Sequence, residues 1–177
     1  MCFFARVIRE KGLDDIVNAL LELNQEYKKT AFILDIYGPI QTGEEAWFDS
    51  LQGRFDHNIK YKGYVEPEEG ISVLRNYYAL VFPTRYKTEG IPGTILDSFY
   101  AGMPVITSKW DNCADVFEEG VTGVGYEIGD YKALKQCLKK AYENPESLSS
   151  LKGNCLKKAN DYSPHKIIKI MTDRIKT

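Results

Sequence analysis

The segment over residues 80–107, LVFPTRYKTEGIPGTILDSFYAGMPVIT, is the clearest indication of the fold class of this chain. It opens with an apolar run at residues 80–84 and closes with a second run at 105–107, and both are typical of buried strands. Between the two runs, the spacing of the apolar residues predicts a helix over residues 92–101. Two strands joined through a helix form the crossover unit of a parallel sheet.

The same alternation continues on both sides of this segment. Further strand-like runs, rich in apolar, β-branched or aromatic residues, lie at residues 2–7, 31–37, 59–65 and 124–128. Helical patterns follow them, at residues 44–55, 67–76, 112–118 and 131–144, and the clearest apolar stripe comes first, on Leu13, Ile16, Val17, Leu20 and Leu21. The sequence therefore predicts an α/β fold, a Rossmann-like parallel sheet flanked by helices.

The pattern changes after Pro145, where only helices are predicted. One apolar stripe is formed by Leu148, Leu151, Cys155 and Ala159. A final helix is predicted over residues 164–176. We therefore divide the chain into a Rossmann-like domain, residues 1–145, and a helical C-terminal extension, residues 146–177, that packs on it.

Composition narrows the classes of function. The chain has 177 residues, 44% of them hydrophobic, which is enough for one domain with a filled core. Its net charge of -2 argues against binding of nucleic acid. Four cysteines without a C-x-x-C pair and two histidines predict a reduced chain without a metal site. The sequence shows neither a secretion signal nor an apolar run of membrane-spanning length, and this predicts a cytoplasmic protein.

Ligands of open parallel sheets bind beyond the carboxyl ends of the strands, so the residues that follow each strand are the candidates for a site. Arg6 and Lys11 follow the first strand at the mouth of a helix, where both side chains can reach one anion such as a diphosphate. Taken alone, this pair is more typical of solvated charges beside a turn.

The loop and helix start after the fourth strand, residues 89–97, carry a stronger signal. Pro92 suits the first position of a helix, and Gly93 lets another molecule approach the free amides there, so we predict an anion at this helix start. Asp97 can accept hydrogen bonds from a vicinal diol, and Glu89 is free to face a sugar ring. The alternatives are a solvated loop charge for Glu89 and a helix-dipole partner for Asp97.

Seven short motifs follow one another along the chain: Phe3-Phe4-Ala5-Arg6 with Glu10-Lys11-Gly12, Ile36-Tyr37-Gly38, Tyr61-Lys62-Gly63-Tyr64-Val65, Val81-Phe82-Pro83-Thr84, Glu89-Gly90, Ala101-Gly102-Met103-Pro104-Val105-Ile106 and Gly120-Val121-Thr122-Gly123. In this order they resemble the C-terminal, donor-binding lobe of the family-4 retaining glycosyltransferases, which have the two-lobed glycosyltransferase-B fold. The resemblance spans nearly the whole chain.

The resemblance implies that a UDP- or GDP-sugar is the donor and that no metal ion or other cofactor is required. Arg6 and Lys11 would neutralise the donor diphosphate, Glu89 would contact the sugar, and Asp97 would bind the ribose hydroxyls. The catalytic residues would then be Glu89, Arg6 and Lys11. The donor would be bound by Gly90, Ile91, Pro92, Gly93, Thr94, Asp97, Thr84 and, for the base, the backbone near Tyr64.

Two departures from the common family pattern leave the sugar open. Asp97 stands where the family usually has Glu, and Ile91-Pro92-Gly93 replaces the more frequent Phe-Gly-Leu. Pro92 has no N–H to donate to a sugar hydroxyl. The variant resembles enzymes of bacterial surface polysaccharides.

The activity implied by the resemblance is transfer of a sugar, with retention, to a glycan or lipid-linked acceptor. The family binds the acceptor through an N-terminal lobe that these 177 residues do not contain, so we expect the isolated chain to be inactive. The resemblance also implies that the C-terminal helices, residues 146–177, extend toward that lobe. The basic residues from Lys152 onward fit the anionic inner face of a membrane, but they are more typical of a solvated surface. The alternatives are a non-catalytic nucleotide-sugar-binding module with a partner chain, and another enzyme of this fold such as an epimerase or phosphorylase.

Overall fold

The computed structural model describes residues 1–175, which form a six-stranded sheet with helices on both faces. The strands are Cys2–Phe4 (β1), Leu34–Tyr37 (β2), Ile59–Gly63 (β3), Leu80–Phe82 (β4), Val105–Lys109 (β5) and Gly123–Glu127 (β6). The helices are Leu13–Tyr27 (α1), Glu45–Gln52 (α2), Pro67–Leu74 (α3), Gly93–Tyr100 (α4), Tyr131–Glu143 (α5), Glu146–Ser149 (α6), Lys152–Asp161 (α7) and Pro164–Ile175 (α8). Residues 176 and 177, which belong to the predicted helical extension, lie outside the described residues.

The strands pair in parallel in the order β3-β2-β1-β4-β5-β6. The chain runs outward from β1 to β3, returns to place β4 beside β1, and then runs outward on the other side to β6. The predicted Rossmann-like α/β fold is therefore confirmed. The reversal between β1 and β4 leaves a crevice at the carboxyl ends of these two strands, where open α/β sheets bind their ligands.

Neighbouring residues of the central strands pack against two different helix layers. Phe3 and Val81 belong to an apolar cluster with α1, α2 and α5, whereas Cys2 and Leu80 belong to a second cluster with α3, α4 and α7. Successive side chains of a strand point to opposite faces, so a sheet covered on both faces needs a continuous apolar run. This requirement explains the unbroken runs in the sequence.

The C-terminal helices complete both layers. The predicted stripe is buried, with Leu148 and Leu151 in the first cluster and Cys155 and Ala159 in the second. In contrast, α8 leaves Ile168 and other apolar side chains exposed. Among residues 1–175, every helix is too short or too polar to cross a membrane.

Two predicted elements are corrected by the structure. The helix expected over residues 112–118 is only a 3₁₀ turn, Cys113–Asp115, because the Glu118 N–H donates to the Thr122 hydroxyl at 3.0 Å instead of continuing a helical ladder. The first strand ends at Phe4 rather than at residue 7, since the chain turns away there and pairs again only at an isolated bridge.

Candidate functional site

Two adjoining clefts open at the carboxyl ends of β1 and β4. The first, which we call the charged cleft, has a volume of about 320 Å³ and is lined by Ala5, Arg6, Ile8, Lys11, Phe82, Tyr86, Glu89, Pro92, Gly93 and Thr94. The second, the apolar cleft, has a volume of about 270 Å³ and is lined by Phe4, Ala5, Arg6, Gly38, Pro39, Tyr64, Val65, Pro67, Gly93, Thr94 and Asp97. Because the two clefts share part of their lining, one bound molecule can extend from one into the other.

An ion pair between Lys11 and Glu89 dominates the charged cleft. The Lys11 Nζ lies 2.6 Å from Oε2 of Glu89, and each side chain is only 15% exposed. The Thr84 hydroxyl donates to the same oxygen at 2.8 Å, and the ammonium lies 5.1 and 5.2 Å from the ring centroids of Phe82 and Tyr86. No group in the described part of the chain donates to Oε1 of Glu89, so this oxygen is open to a ligand hydroxyl.

A close backbone approach brings Lys11 to Glu89. Gly12, directly after Lys11, has a left-handed φ of 68°, and a Cβ there would lie 2.2 Å from the carbonyl oxygen of Pro83. Only glycine allows this approach without strain. The segments that carry the two charges, the turn after β1 and the loop after β4, are thus in direct backbone contact.

Arg6 lines both clefts. Its Nη1 donates to Oε1 of Gln41 at 3.2 Å. The backbone N–H of Gln41 in turn donates to the carbonyl of Val7 at 3.1 Å, which fixes the loop after β2 against the chain after β1. Arg6 is exposed and forms no ion pair within residues 1–175, so its charge is available to an anion.

The start of α4 provides two further donors beside Arg6. The N–H groups of Gly93 and Thr94 have no acceptor among the residues described, whereas the next two N–H groups of the helix donate to the carbonyl of Pro92. The Thr94 hydroxyl donates to the carbonyl of Phe4 at 2.6 Å and ties this helix start to β1. Free amides at the positive end of a helix dipole, next to a guanidinium, favour an anion.

Pro92 lies one position earlier than predicted. The helix α4 begins at Gly93, and Pro92 precedes it in an extended conformation with φ -69° and ψ 120°. This conformation lets the Pro92 carbonyl accept the N–H of Ile95 at 3.0 Å and close the first turn. The prediction that Pro92 is the first helical residue is therefore wrong.

The apolar cleft contains a single acidic side chain among its lining residues, Asp97 in the second turn of α4. Within the described chain no group donates a hydrogen bond to this carboxylate, and its partial burial raises the pKa of Asp97 above the usual value. The N–H groups of Tyr64 and Val65 likewise have no acceptor among residues 1–175. Unpaired polar groups between apolar walls can bind a flat heterocycle joined to a hydroxylated ring.

The structure brings most of the predicted site residues together. Of the predicted residues, the charged cleft is lined by Arg6, Lys11, Glu89, Pro92, Gly93 and Thr94. The apolar cleft is lined by Asp97 and Tyr64, together with Arg6, Gly93 and Thr94, which line both clefts. Thr84 is 1% exposed, and its hydroxyl binds Glu89 instead of lining a cleft. Gly90 and Ile91 line neither cleft. Over residues 1–175, no three His, Cys, Asp or Glu side chains converge as they would around a metal ion.

Tyr86 and Gln41 belong to the site, although the sequence did not predict them as site residues. Tyr86 lines the charged cleft, and Gln41 holds Arg6. Both lie in loops after strands, and this position is the only signal that the sequence offers for them. Their contacts depend on how neighbouring loops pack, which spacing along one chain does not define.

Comparison with known proteins identifies the family. Residues 1–158 match the family model described as Glycosyl transferases group 1. The alpha-monoglucosyldiacylglycerol synthase of Acholeplasma laidlawii is 28% identical over 153 residues, which cover 85% of this chain and 36% of that enzyme. The capsular polysaccharide biosynthesis glycosyltransferase CapM of Staphylococcus aureus is 24% identical over 153 residues, covering 86% of this chain and 38% of the relative. The chain thus spans little more than a third of the length of these relatives.

A solved structure, Anabaena Alr3699/HepE in complex with UDP, superimposes with a TM-score of 0.86 at 15% identity, covering 99% of this chain and 48% of that one. The fold is therefore that of a Rossmann-like lobe of the glycosyltransferase-B enzymes. The chain belongs to the group 1 glycosyltransferases, since the family model extends over residues 1–158. The two relatives named above act in glycolipid and in polysaccharide biosynthesis.

Proposed function

We propose that this chain binds a nucleoside-diphosphate sugar and, with a second lobe, transfers the sugar with retention to a glycan or lipid-linked acceptor. The observation that carries the proposal is the pair of adjoining clefts that share Arg6 and the free amides of α4. A nucleoside-diphosphate sugar has the matching order of parts, with a flat base and ribose at one end, a diphosphate in the middle and a sugar at the other end.

The diphosphate lies where the clefts meet. Arg6 and the N–H groups of Gly93 and Thr94 donate to it, and Lys11 adds a donor because its ammonium has N–H groups beyond the one used by Glu89. When the bond from the sugar to the phosphate breaks, negative charge develops on the departing phosphate. Fixed cations and amides stabilise this charge without reorganising, so the proposed mechanism requires no metal ion.

The nucleoside occupies the apolar cleft. Asp97 accepts hydrogen bonds from the ribose hydroxyls, which supply the donors that its carboxylate lacks within the described chain. The base lies against the apolar wall and contacts the backbone at Tyr64 and Val65. The structure of HepE was solved with UDP, which supports a nucleoside diphosphate as the ligand of this fold.

The sugar occupies the charged cleft, where Glu89 accepts one of its hydroxyls through Oε1. Retention of configuration rests on the resemblance to the retaining family, and the anomeric configuration of the product, read by NMR with the complete protein, tests it. The acceptor class rests on the names of the two relatives, one a glycolipid enzyme and one a capsular polysaccharide enzyme. Transfer to a lipid-linked acceptor would take place at the cytoplasmic face of a membrane.

Calorimetric titration of the chain with UDP and with GDP tests the donor site. We expect one of the two to bind, and Arg6→Ala to weaken its binding by about 10- to 100-fold, the usual value of a charged hydrogen bond. Lys132→Ala removes the same charge from the exposed face of α5 and should leave the affinity unchanged. Absence of binding at about 1 mM of either nucleotide, or an unchanged affinity of Arg6→Ala, contradicts the proposal.

A further inference from the structure

We propose that Arg85 is a positioning residue that sets Lys11 and Glu89 in place for the donor, an inference that rests on the function proposed above. Arg85 lies between two residues of the charged-cleft machinery. On one side Thr84 holds Glu89, and on the other side the ring of Tyr86 lies 5.2 Å from the Lys11 ammonium. Arg85 itself lines neither cleft, so it acts only through its neighbours.

The guanidinium of Arg85 clamps the loop after β4 to the start of α1. Its Nη2 lies 2.8 Å from one oxygen of Asp15 and its Nε donates to the other at 3.2 Å, which is a two-point fork. The same Nη2 contacts Asp14 at 3.0 Å, and Nη1 donates to the carbonyl of Arg9 at 3.1 Å. The backbone N–H of Arg85 adds a bond of 2.7 Å to the carbonyl of Glu10.

These contacts surround Lys11 in the sequence on both sides. The carbonyls of Arg9 and Glu10 come just before it, and the carboxylates of Asp14 and Asp15 follow it by three and four positions. The side chain that leaves this turn is therefore fixed relative to the loop that carries Glu89. A planar guanidinium is needed for this clamp, because a lysine ammonium makes no fork and cannot reach Asp14, Asp15 and the Arg9 carbonyl together.

A double-mutant cycle separates positioning from a general loss of structure. The affinity for UDP, or for GDP where that nucleotide binds better, is measured by calorimetry for the wild type and for Lys11→Ala, Arg6→Ala and Arg85→Ala, alone and in pairs. We expect Arg85→Ala to weaken binding about fivefold in the wild type and beside Arg6→Ala, but less than about twofold beside Lys11→Ala. The reason is that Arg85 acts through Lys11 and not through Arg6.

The same double-mutant cycle is measured with Arg85→Lys, which keeps the positive charge. The test can therefore be made even if Arg85→Ala fails to fold. We expect Arg85→Lys to behave like the alanine variant, whereas Arg54→Lys, which alters an arginine that donates to Asn18 of α1 outside both clefts, should bind like the wild type. Equal losses in the Lys11→Ala and Arg6→Ala backgrounds, or wild-type affinity of Arg85→Lys, would overturn the inference alone. A wild type that binds neither nucleotide, or an Arg6→Ala variant of unchanged affinity, overturns the proposed function with it.

Discussion

The two clefts at the edge of the sheet are built in opposite ways. In the charged cleft the carboxylate is already paired within the chain, since Lys11 and Thr84 both bind Glu89. In the apolar cleft Asp97 and the Tyr64 N–H have no partner among the described residues. One half of the site is thus assembled by intramolecular contacts, and the other half is completed by a ligand. Substitution of the paired Glu89 should therefore lower the stability of the free chain, whereas substitutions at the unpaired groups should leave that stability unchanged or raise it and should weaken nucleotide binding.

The largest effect is expected for Gly12→Ala. The added Cβ meets the Pro83 carbonyl oxygen at 2.2 Å, and the residue keeps a left-handed φ of 68°, so the free energy of unfolding should fall by about 2–4 kcal/mol. Urea denaturation measures the loss. Gly153→Ala, in α7 where a Cβ would meet nothing within 4 Å, should instead gain about 0.5–1 kcal/mol. Equal values for the two variants would show that the close approach at Gly12 does not form.

Glu89→Gln tests the ion pair that organises the charged cleft. The substituted amide can still accept from Thr84 through its oxygen, so we expect a loss of only about 1 kcal/mol in unfolding free energy. The freed charge of Lys11 should tighten UDP binding about fivefold, because the competing carboxylate is gone. Calorimetry and urea denaturation measure the two effects. Glu44→Gln breaks the ion pair with Arg9, outside both clefts, and should leave nucleotide affinity unchanged; weaker UDP binding by Glu89→Gln would contradict the assignment.

Asp97→Asn should change both quantities in the opposite direction to Glu89→Gln, with weaker nucleotide binding and higher stability of the free chain. Loss of the charged acceptor weakens nucleotide binding about fivefold. Without nucleotide, the variant should be more stable than the wild type at pH 7. Burial raises the pKa of Asp97, so the wild type loses stability as pH rises through that pKa and the carboxylate ionises in the folded chain. The amide of the variant does not ionise. The advantage of the amide should shrink toward pH 4, near the unfolded pKa of about 3.9. Thermal melts across this range test it, with exposed Asp49→Asn as control; a less stable Asp97→Asn at pH 7 would refute the prediction.

The smallest effect is expected for Gly93→Ala. A Cβ there meets nothing within 4 Å in the free chain, so stability should stay the same or rise by about 0.5 kcal/mol. The methyl group would occupy space beside the free amides and weaken UDP binding about threefold. Gly90→Ala, which is equally open but lines neither cleft, provides the matched control for the titration. Identical affinities of the two variants would place the diphosphate away from α4.

Much of the fold could be predicted because its signals are local. The apolar runs marked each strand, and a sheet covered on both faces requires such runs. The expected helix over residues 112–118 failed because the Thr122 hydroxyl, a partner several residues along, takes a hydrogen bond that a helix needs. The contact between Arg85 and Asp15 also could not be predicted from local patterns, since it joins residues 70 positions apart.

The fold class, the family and the residues that follow the strands could all be predicted before the structure, because strand runs, helix starts and the order of the motifs are local features of the chain. The division of those residues into two clefts became visible only in the folded chain. In the folded chain, Lys11 is paired with Glu89, and Asp97 has no hydrogen-bond donor among the described residues. Thr84 does not line a cleft but donates a hydrogen bond to Glu89. These contacts could not be predicted, because the partners of a charged side chain are the groups packed around it, and here they come from segments far apart in the sequence.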